Sequence, residues 1–163
     1  MKIIVTGATG FIGARFVELL TEMGVEVLAL GRKNLDQLSD NKQKKLSKAT
    51  YLKLDMSQVS FLPKKLKELN WKIGNNCLFF NLAWGGKEKL SDLNIEHQLM
   101  NVSWCVKALK IANDLGCKTF IQVGTMEEAF TKKYLALDYK KIHNSIDMLF
   151  IPWPNYLQNT RLN

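Results

Sequence analysis

Hydrophobic and polar positions divide the first 125 residues into blocks of two alternating kinds. Short apolar runs of strand length are separated by longer segments whose apolar residues recur three and four positions apart, which is the period of a helix. The predicted strands cover residues 2–5, 25–30, 50–54, 77–83 and 118–123. Strands that alternate with helices predict an α/β fold with a parallel sheet covered on both faces.

The predicted helices are defined by their apolar stripes and by the glycines that end them. Gly24 ends the first helix and Gly116 ends the last one. The stripe of the first helix contains Ile12, Phe16, Leu19, Leu20 and Met23, and that of the last contains Ile95, Leu99, Val102, Val106 and Leu109. Before the helix through Leu62, Leu66 and Leu69, Ser57 or Ser60 is the expected cap and Pro63 suits the first turn.

Three glycines, Gly7, Gly10 and Gly13, join the first strand to the first helix. Glycine lets the main chain turn tightly and approach a ligand closely, while the free N–H groups and positive end of a helix attract negative charge. A diphosphate fits such a loop, so the segment predicts binding of a nicotinamide dinucleotide. The alternative is a tight strand–helix turn in an unrelated α/β protein.

Length and charge exclude several other classes. A chain of 163 residues suffices for one filled domain, and no stretch approaches the roughly twenty apolar residues of a membrane span, so we expect no membrane partner. The net charge of +8 arises mainly between residues 32 and 72, which hold eleven basic and four acidic residues. Because no aromatic residue is interleaved within the lysine clusters at 42–48 and 64–67 to stack bases, we expect a solvated face that attracts anionic ligands, with no nucleic acid.

The three cysteines, Cys77, Cys105 and Cys117, form no C-x-x-C pair. Neither a disulfide framework nor a metal site is therefore predicted. We expect that the N-terminal segment is not a secretory signal, because its apolar run is a four-residue strand that ends in the glycine loop. We expect buried thiols and a cytoplasmic protein.

The end of the second strand bears on the choice of cofactor. It reads Leu30-Gly31-Arg32-Lys33, where a carboxylate would bind the ribose 2′-hydroxyl of NAD and an arginine would accommodate the 2′-phosphate of NADP. Arginine offers a planar fork to a phosphate, so NADP is favoured over NAD. The alternative is that Arg32 only begins the lysine-rich segment.

Further short motifs follow the other strands in order. They are Thr6-Gly7-Ala8-Thr9-Gly10-Phe11-Ile12-Gly13, Leu54-Asp55-Met56, Asn81-Leu82-Ala83-Trp84, Asn101-Val102 and Val123-Gly124-Thr125. Through them the chain resembles the extended short-chain dehydrogenase/reductase family, particularly the NAD(P)-dependent epimerases and dehydratases that act on nucleotide sugars. The resemblance implies a Rossmann-type doubly wound parallel sheet, incomplete at the C-terminus, with an NAD(P)-binding domain at 1–125 and a remnant tail at 126–163.

The resemblance, together with the loop chemistry above, gives a set of expected cofactor-binding residues: Gly7, Thr9, Gly10, Phe11, Ile12, Gly13, Arg32, Asp55, Met56, Leu82, Ala83 and Trp84. It implies that Asp55 accepts a hydrogen bond from the adenine amino group, although a helix cap is the alternative. Ala83 would let the dinucleotide pass over the strand end, unless it is only a loop residue under a packed Trp84. Asn101 would tie its helix to the central strands.

The catalytic machinery of the family departs from its pattern in this chain. The family uses a serine or threonine, for which Thr125 is the candidate, and a Tyr-x-x-x-Lys pair. Tyr134, Tyr139 and Tyr156 are followed four residues later by Asp138, His143 and Thr160. A tyrosine without its lysine is a poor acid–base group at neutral pH, so impaired catalysis is expected. Members of the group run to about twice this length, which suggests a truncated copy without the substrate domain.

Three hypotheses follow for the function. The chain is an NAD(P)-binding part of a nucleotide-sugar epimerase, dehydratase or reductase, which would meet a nucleotide sugar if a substrate domain were supplied. Alternatively, it is a small Rossmann-type sensor or subunit without catalysis, or an active oxidoreductase that uses Tyr139 or Tyr156. An uncovered edge strand would also favour self-association into a homo-oligomer.

Overall fold

The computed structural model describes residues 1–85 and 95–124, and these contain a five-stranded, wholly parallel sheet. The strands are β1 (Lys2–Thr6), β2 (Glu26–Gly31), β3 (Thr50–Lys53), β4 (Cys77–Asn81) and β5 (Thr119–Gln122). All five predicted strands are confirmed, with ends that differ by at most two residues. The predicted tail at 126–163 and Thr125 lie outside the described residues.

The strand order in the sheet is β3-β2-β1-β4-β5. Strands β2 and β3 are added on one side of β1, and β4 and β5 are then added on its other side. In register, Lys2 pairs with both Glu26 and Cys77, and Thr6 pairs with Asn81. The strand order therefore reverses between β1 and β4. In a doubly wound sheet, ligands bind in the crevice at the carboxyl ends of the strands at such a switch point.

In the part of the chain that the structure describes, four α-helices cover the two faces of the sheet. They are α1 (Phe11–Glu22), α2 (Asp40–Leu46), α3 (Leu62–Glu68) and α4 (Ile95–Asp114), with 3₁₀ turns at Leu35–Gln37 and Met56–Phe61. Side chains that alternate along the strands supply two cores. Ile4, Leu28 and Phe79 pack with residues of α3 and α4, whereas Ile3, Val5 and Val27 pack with residues of α1 and α2. This arrangement confirms the doubly wound α/β fold.

The predicted apolar stripe of α1 is right for Leu20, which is buried, and for Phe16, which packs against the core, and wrong for its other members. The helix buries Gly13, Ala14, Val17 and Leu20, while Ile12, Leu19 and Met23 of the predicted stripe are exposed. Small residues allow the helix to approach β1 closely, because a β-carbon on Gly13 would overlap the carbonyl group of Gly7. Close packing of helix and loop therefore outweighs burial of the larger side chains.

The predicted stripe of α4 is likewise only partly the buried face, since Leu109 packs against the core. Asn101, Cys105, Ala108 and Ala112 are buried there, whereas Ile95 and Leu99 are exposed. The helix has two apolar faces, and the hydrophobic periodicity identifies the one with the larger side chains. Among residues 1–85 and 95–124, no helix is both long and apolar enough to cross a membrane.

Candidate functional site

An open cavity of about 730 Å³ lies along the carboxyl edge of the sheet. Loops after β1, β2, β3 and β4 line it, together with parts of α2 and α4. It brings together nine of the twelve residues that the sequence assigns to a cofactor: Gly7, Thr9, Gly10, Arg32, Asp55, Met56, Leu82, Ala83 and Trp84. The side chains of Phe11 and Ile12 are exposed, and Gly13 is buried in α1.

Gly7 occupies the point where the loop after β1 meets the loop after β4. Its φ of 66° lies in the left-handed region that favours glycine. A β-carbon there would stand 2.8 Å from both the carbonyl carbon of Leu82 and the nitrogen of Ala83. The two backbones therefore touch without an intervening side chain, which leaves the cavity side of the loop bare.

The first turn of α1 faces this bare loop with unused donors. Gly10 caps the helix without a side-chain hydrogen bond, and the first turn carries no acidic residue. The N–H groups of Phe11, Ile12 and Gly13 donate to no acceptor among the described residues. Helix N-termini with free N–H groups bind anions, so the exposed side chains of Phe11 and Ile12 do not prevent their backbones from contributing.

A group of basic side chains lines the cavity beyond the end of β2. Arg32, Lys33 and Lys42 contribute to this wall, and none of them forms an ion pair within the described part of the chain. The Tyr51 hydroxyl donates to the Lys33 carbonyl at 2.7 Å, which fixes the backbone next to Arg32. Burial raises the pKa of Tyr51, so the hydroxyl keeps its proton and remains a donor.

Asp55 follows β3 and has two carboxylate oxygens in different surroundings. Oδ1 accepts the backbone N–H of Ser57 at 2.9 Å and its hydroxyl at 2.7 Å, so Asp55 caps the 3₁₀ turn at Met56–Phe61. The next helix, α3, has Phe61 at its N-cap without a side-chain hydrogen bond, so the expected cap by Ser57 or Ser60 is wrong. Oδ2 accepts no hydrogen bond from a described residue, and Asp55 lines the cavity. The cap therefore leaves one oxygen available for the expected adenine contact.

Substitution of Asp55 should separate these two roles. Asp55→Asn keeps an oxygen for the cap, whereas Asp55→Ala should lower the free energy of unfolding by about 1 kcal/mol through loss of the cap. Urea denaturation of both variants measures this difference. Equal stability of the Ala variant and the unaltered protein would contradict the role as a cap.

The loop after β4 is held against α4 by Asn101. Its Oδ1 accepts the N–H of Gly85 at 2.7 Å, and its Nδ2 donates to the Gly85 carbonyl at 2.8 Å. Trp84 is 57% exposed, so it is not packed over the loop, and its indole N–H donates to Gln98 at 3.1 Å. Asn101 thus ties its helix to this loop, which corrects the expectation that it binds the central strands.

Replacement of Asn101 should loosen this loop. Asn101→Leu leaves the N–H and the carbonyl of Gly85 without partners, and we expect the free energy of unfolding to fall by about 2 kcal/mol. Thermal and urea unfolding measure the loss. Asn113→Leu is a matched control, because Asn113 is an exposed residue of the same helix. A similar loss in both variants would contradict the specific role of Asn101.

A buried polar network beneath the cavity was missed by the sequence reasoning. The Thr6 hydroxyl donates to Asn81 Oδ1 and accepts the N–H of Ala83 at 3.2 Å. Asn81 Nδ2 donates to Gln122 Oε1 at 2.6 Å, and the Cys105 thiol donates to the same oxygen at 2.9 Å. A signal was present, because Thr6, Asn81 and Gln122 are polar residues at the last positions of three strands.

His97 and Trp104 were also missed as parts of the cavity wall. Both line it from α4, with their rings in an edge-on arrangement 6.3 Å apart. No periodic signal distinguishes them, since polar and aromatic residues on a helix are common on its solvated face. Among the described residues, no group of three or more His, Cys, Asp or Glu side chains is placed to hold a metal ion.

These features define a Rossmann-type α/β domain with a cavity at its topological switch point. The sequence model of the NAD dependent epimerase/dehydratase family matches residues 3–133, and the chain belongs to this family. An uncharacterized protein of Schizosaccharomyces pombe is 26% identical over 125 residues, which are 76% of this chain and 12% of that protein.

Solved structures of similar fold include several nucleotide-sugar enzymes. UDP-glucose 4-epimerase of Thermotoga maritima, solved with UDP-glucose, is 22% identical at a TM-score of 0.55 over 77% of this chain and 38% of its own. The dTDP-glucose 4,6-dehydratase of Bacillus anthracis, solved with NAD, is 21% identical with a TM-score of 0.57, and the match covers 78% of this chain and 38% of the dehydratase. WbmG of Bordetella bronchiseptica, solved with NAD and UDP, is 17% identical with a TM-score of 0.56, and the match covers 74% of this chain and 36% of WbmG. At these identities the likeness shows the fold alone, and the chain spans less than two fifths of these proteins.

Proposed function

We propose that this chain binds a nicotinamide dinucleotide in the cavity, with the diphosphate over the loop from Gly7 to Gly13. One observation carries the proposal. The glycine loop has no side chains on its cavity side, and it adjoins the free N–H groups of the first turn of α1 at the switch point of the sheet. In a doubly wound sheet each half binds one mononucleotide. The adenosine half therefore lies toward β2 and β3, and the nicotinamide half toward β4 and β5.

NADP is the favoured cofactor in this proposal. Three cations, Arg32, Lys33 and Lys42, line the same end of the cavity without an ion-pair partner among the described residues. Clustered like charges repel one another, and a 2′-phosphate would relieve that repulsion while accepting a bidentate hydrogen bond from Arg32. The end of β2 offers no carboxylate for the ribose hydroxyls of NAD. Asp55 Oδ2 then remains for the adenine amino group.

The reaction class follows from family membership. We propose that the chain is the NAD(P)-binding part of a nucleotide-sugar epimerase, dehydratase or reductase, and that a nucleotide sugar is bound only where a substrate domain is present. UDP-glucose and UDP in the similar solved structures support this substrate class. These 163 residues contain no Tyr-x-x-x-Lys pair, so we expect them to bind the cofactor without efficient hydride transfer.

Two further features complete the proposal. The exposed apolar face of α4, with Ile95 and Leu99, supports self-association into a homo-oligomer. The three cysteines are free and buried, which suits the reducing conditions of the cytoplasm. The remaining alternatives are a sensor or subunit that binds NAD(P)H without chemistry, and an enzyme that uses Tyr139 or Tyr156, which lie outside the described residues.

A titration with NADPH and NADH, followed by a turnover assay with UDP-glucose and dTDP-glucose, tests the proposal. We expect tighter binding of NADPH than of NADH and no measurable turnover. Binding of neither cofactor at millimolar concentration would contradict the proposed function. Turnover that disappears in Tyr139→Phe or Tyr156→Phe would instead support the active oxidoreductase.

A further inference from the structure

The side chain of Gln122 is the centre of the polar network at the end of β5. Its Oε1 accepts hydrogen bonds from Asn81 Nδ2 at 2.6 Å and from the Cys105 thiol at 2.9 Å. Its Nε2 donates to the carbonyl of Val123 at 2.9 Å. Burial raises the pKa of Cys105, so the thiol keeps the proton that it donates. One half-buried amide thus connects β4, β5 and α4.

The network fixes the backbone at the point where β5 ends. Val123 donates its N–H to the Asn81 carbonyl at 3.2 Å, and its own carbonyl accepts from Gln122. Both backbone groups of Val123 are therefore held. Asn81 is linked through Thr6 to the N–H of Ala83, so the loops that follow β4 and β5 are positioned by one continuous set of hydrogen bonds.

If position 122 contributed only to the stability of the sheet, an apolar side chain would stabilise it at least as well as glutamine does. Ordering a glutamine costs more conformational entropy than ordering a valine or leucine, and buried polar groups are costly unless every partner is present. The carboxyl ends of β4 and β5 are where the nicotinamide half of a dinucleotide lies in a doubly wound sheet. A network that fixes the first residues of both loops therefore fixes the cavity wall at Ala83, and it does so partly through Val123, which does not line the cavity itself.

We propose that Gln122 is a positioning residue for the nicotinamide half of the cofactor, acting through the backbone of Val123 and the loop at Ala83. This inference rests on the proposed function, because it requires the dinucleotide to bind in the cavity. Gln122 itself does not line that cavity. Its effect is on the spacing of the two loops, and the adenosine half should not respond to it.

The test compares NADPH with 2′-phospho-ADP-ribose, which lacks the nicotinamide, in the variants Gln122→Met and Gln122→Glu. Gln122→Glu keeps an oxygen that accepts from Asn81 and Cys105 but sets its second carboxylate oxygen against the Val123 carbonyl, so it breaks that contact alone and serves if Gln122→Met does not fold. We expect the Kd for NADPH to rise about tenfold in either folded variant, the order of one or two lost hydrogen bonds. The Kd for 2′-phospho-ADP-ribose should change less than about twofold. The fluorescence of bound NADPH should also move toward that of free NADPH.

Gln43→Met is the matched control, because Gln43 likewise donates its Nε2 to a backbone carbonyl, that of Leu38, at 2.9 Å. It should not produce a loss confined to NADPH. An equal loss for both ligands in Gln122→Glu, or no loss for either, would overturn the inference and leave the proposed function intact. Failure of the unaltered protein to bind NADPH would overturn the proposed function itself.

Discussion

Gly7→Ala should abolish measurable dinucleotide binding and lower the free energy of unfolding by about 3 kcal/mol. Two effects add at this position. The left-handed φ of 66° is strained for alanine, and the new β-carbon would lie 2.8 Å from the backbone of Leu82 and Ala83. The loop after β4 must then move away from the glycine loop. Calorimetric titration with NADPH and urea unfolding measure the two consequences.

Gly24→Ala separates backbone strain from the clash. Gly24 has a similar φ of 75°, but a β-carbon there would meet nothing within 4 Å. It ends α1 at the opposite edge of the sheet from the cavity, so its replacement should cost about 1 kcal/mol and leave NADPH binding unchanged. If Gly7→Ala bound NADPH as tightly as Gly24→Ala does, contact between the two loops would not be needed for binding.

Arg32→Ala should remove the preference for NADPH over NADH. The lost charge-assisted hydrogen bonds to the 2′-phosphate are expected to raise the Kd for NADPH about 30-fold, while the Kd for NADH changes less than about twofold. Arg32 is exposed, so the effect should decrease as salt is added. Fluorescence titrations with both cofactors at low and high ionic strength give the comparison.

Lys42→Ala and Lys44→Ala extend this test to the neighbouring helix α2. Lys42 is half-buried and lines the cavity, whereas Lys44 is exposed and does not line it. Both substitutions remove one positive charge, so a general field effect would weaken NADPH binding equally. A larger loss for Lys42→Ala indicates direct contact with the phosphate.

Unchanged NADPH binding in Arg32→Ala would contradict the proposed 2′-phosphate site.

The fold class and most of the cavity wall could be predicted from the sequence, because both depend on local patterns. Apolar runs bounded by turn residues identify buried strands, and the carboxyl ends of parallel strands necessarily lie on one edge. Gly7, Arg32, Asp55 and Ala83 each lie within two residues of the end of a strand, so their meeting in one cavity follows from the fold class.

Helix orientation could not be predicted in the same way. A hydrophobic stripe records which side chains are large and apolar, whereas the buried faces of α1 and α4 also contain small residues that permit close approach to the sheet. Gly13 and Ala108 are examples, since neither contributes much to a hydrophobic pattern. The Asn101–Gly85 contact and the hydrogen bonds of Gln122 depend on how elements that are distant in the chain pack against each other, and no local sequence pattern contains that information.

Backbone amide NMR of the ¹⁵N-labelled protein during titration with NADPH tests the central claim most directly. We predict the largest saturable shifts at the amides of Phe11, Ile12 and Gly13, whose free N–H groups would meet the diphosphate, and at the neighbouring amides of Gly7 and Gly10. Saturable shifts confined to other parts of the chain, or none at millimolar NADPH, would contradict it.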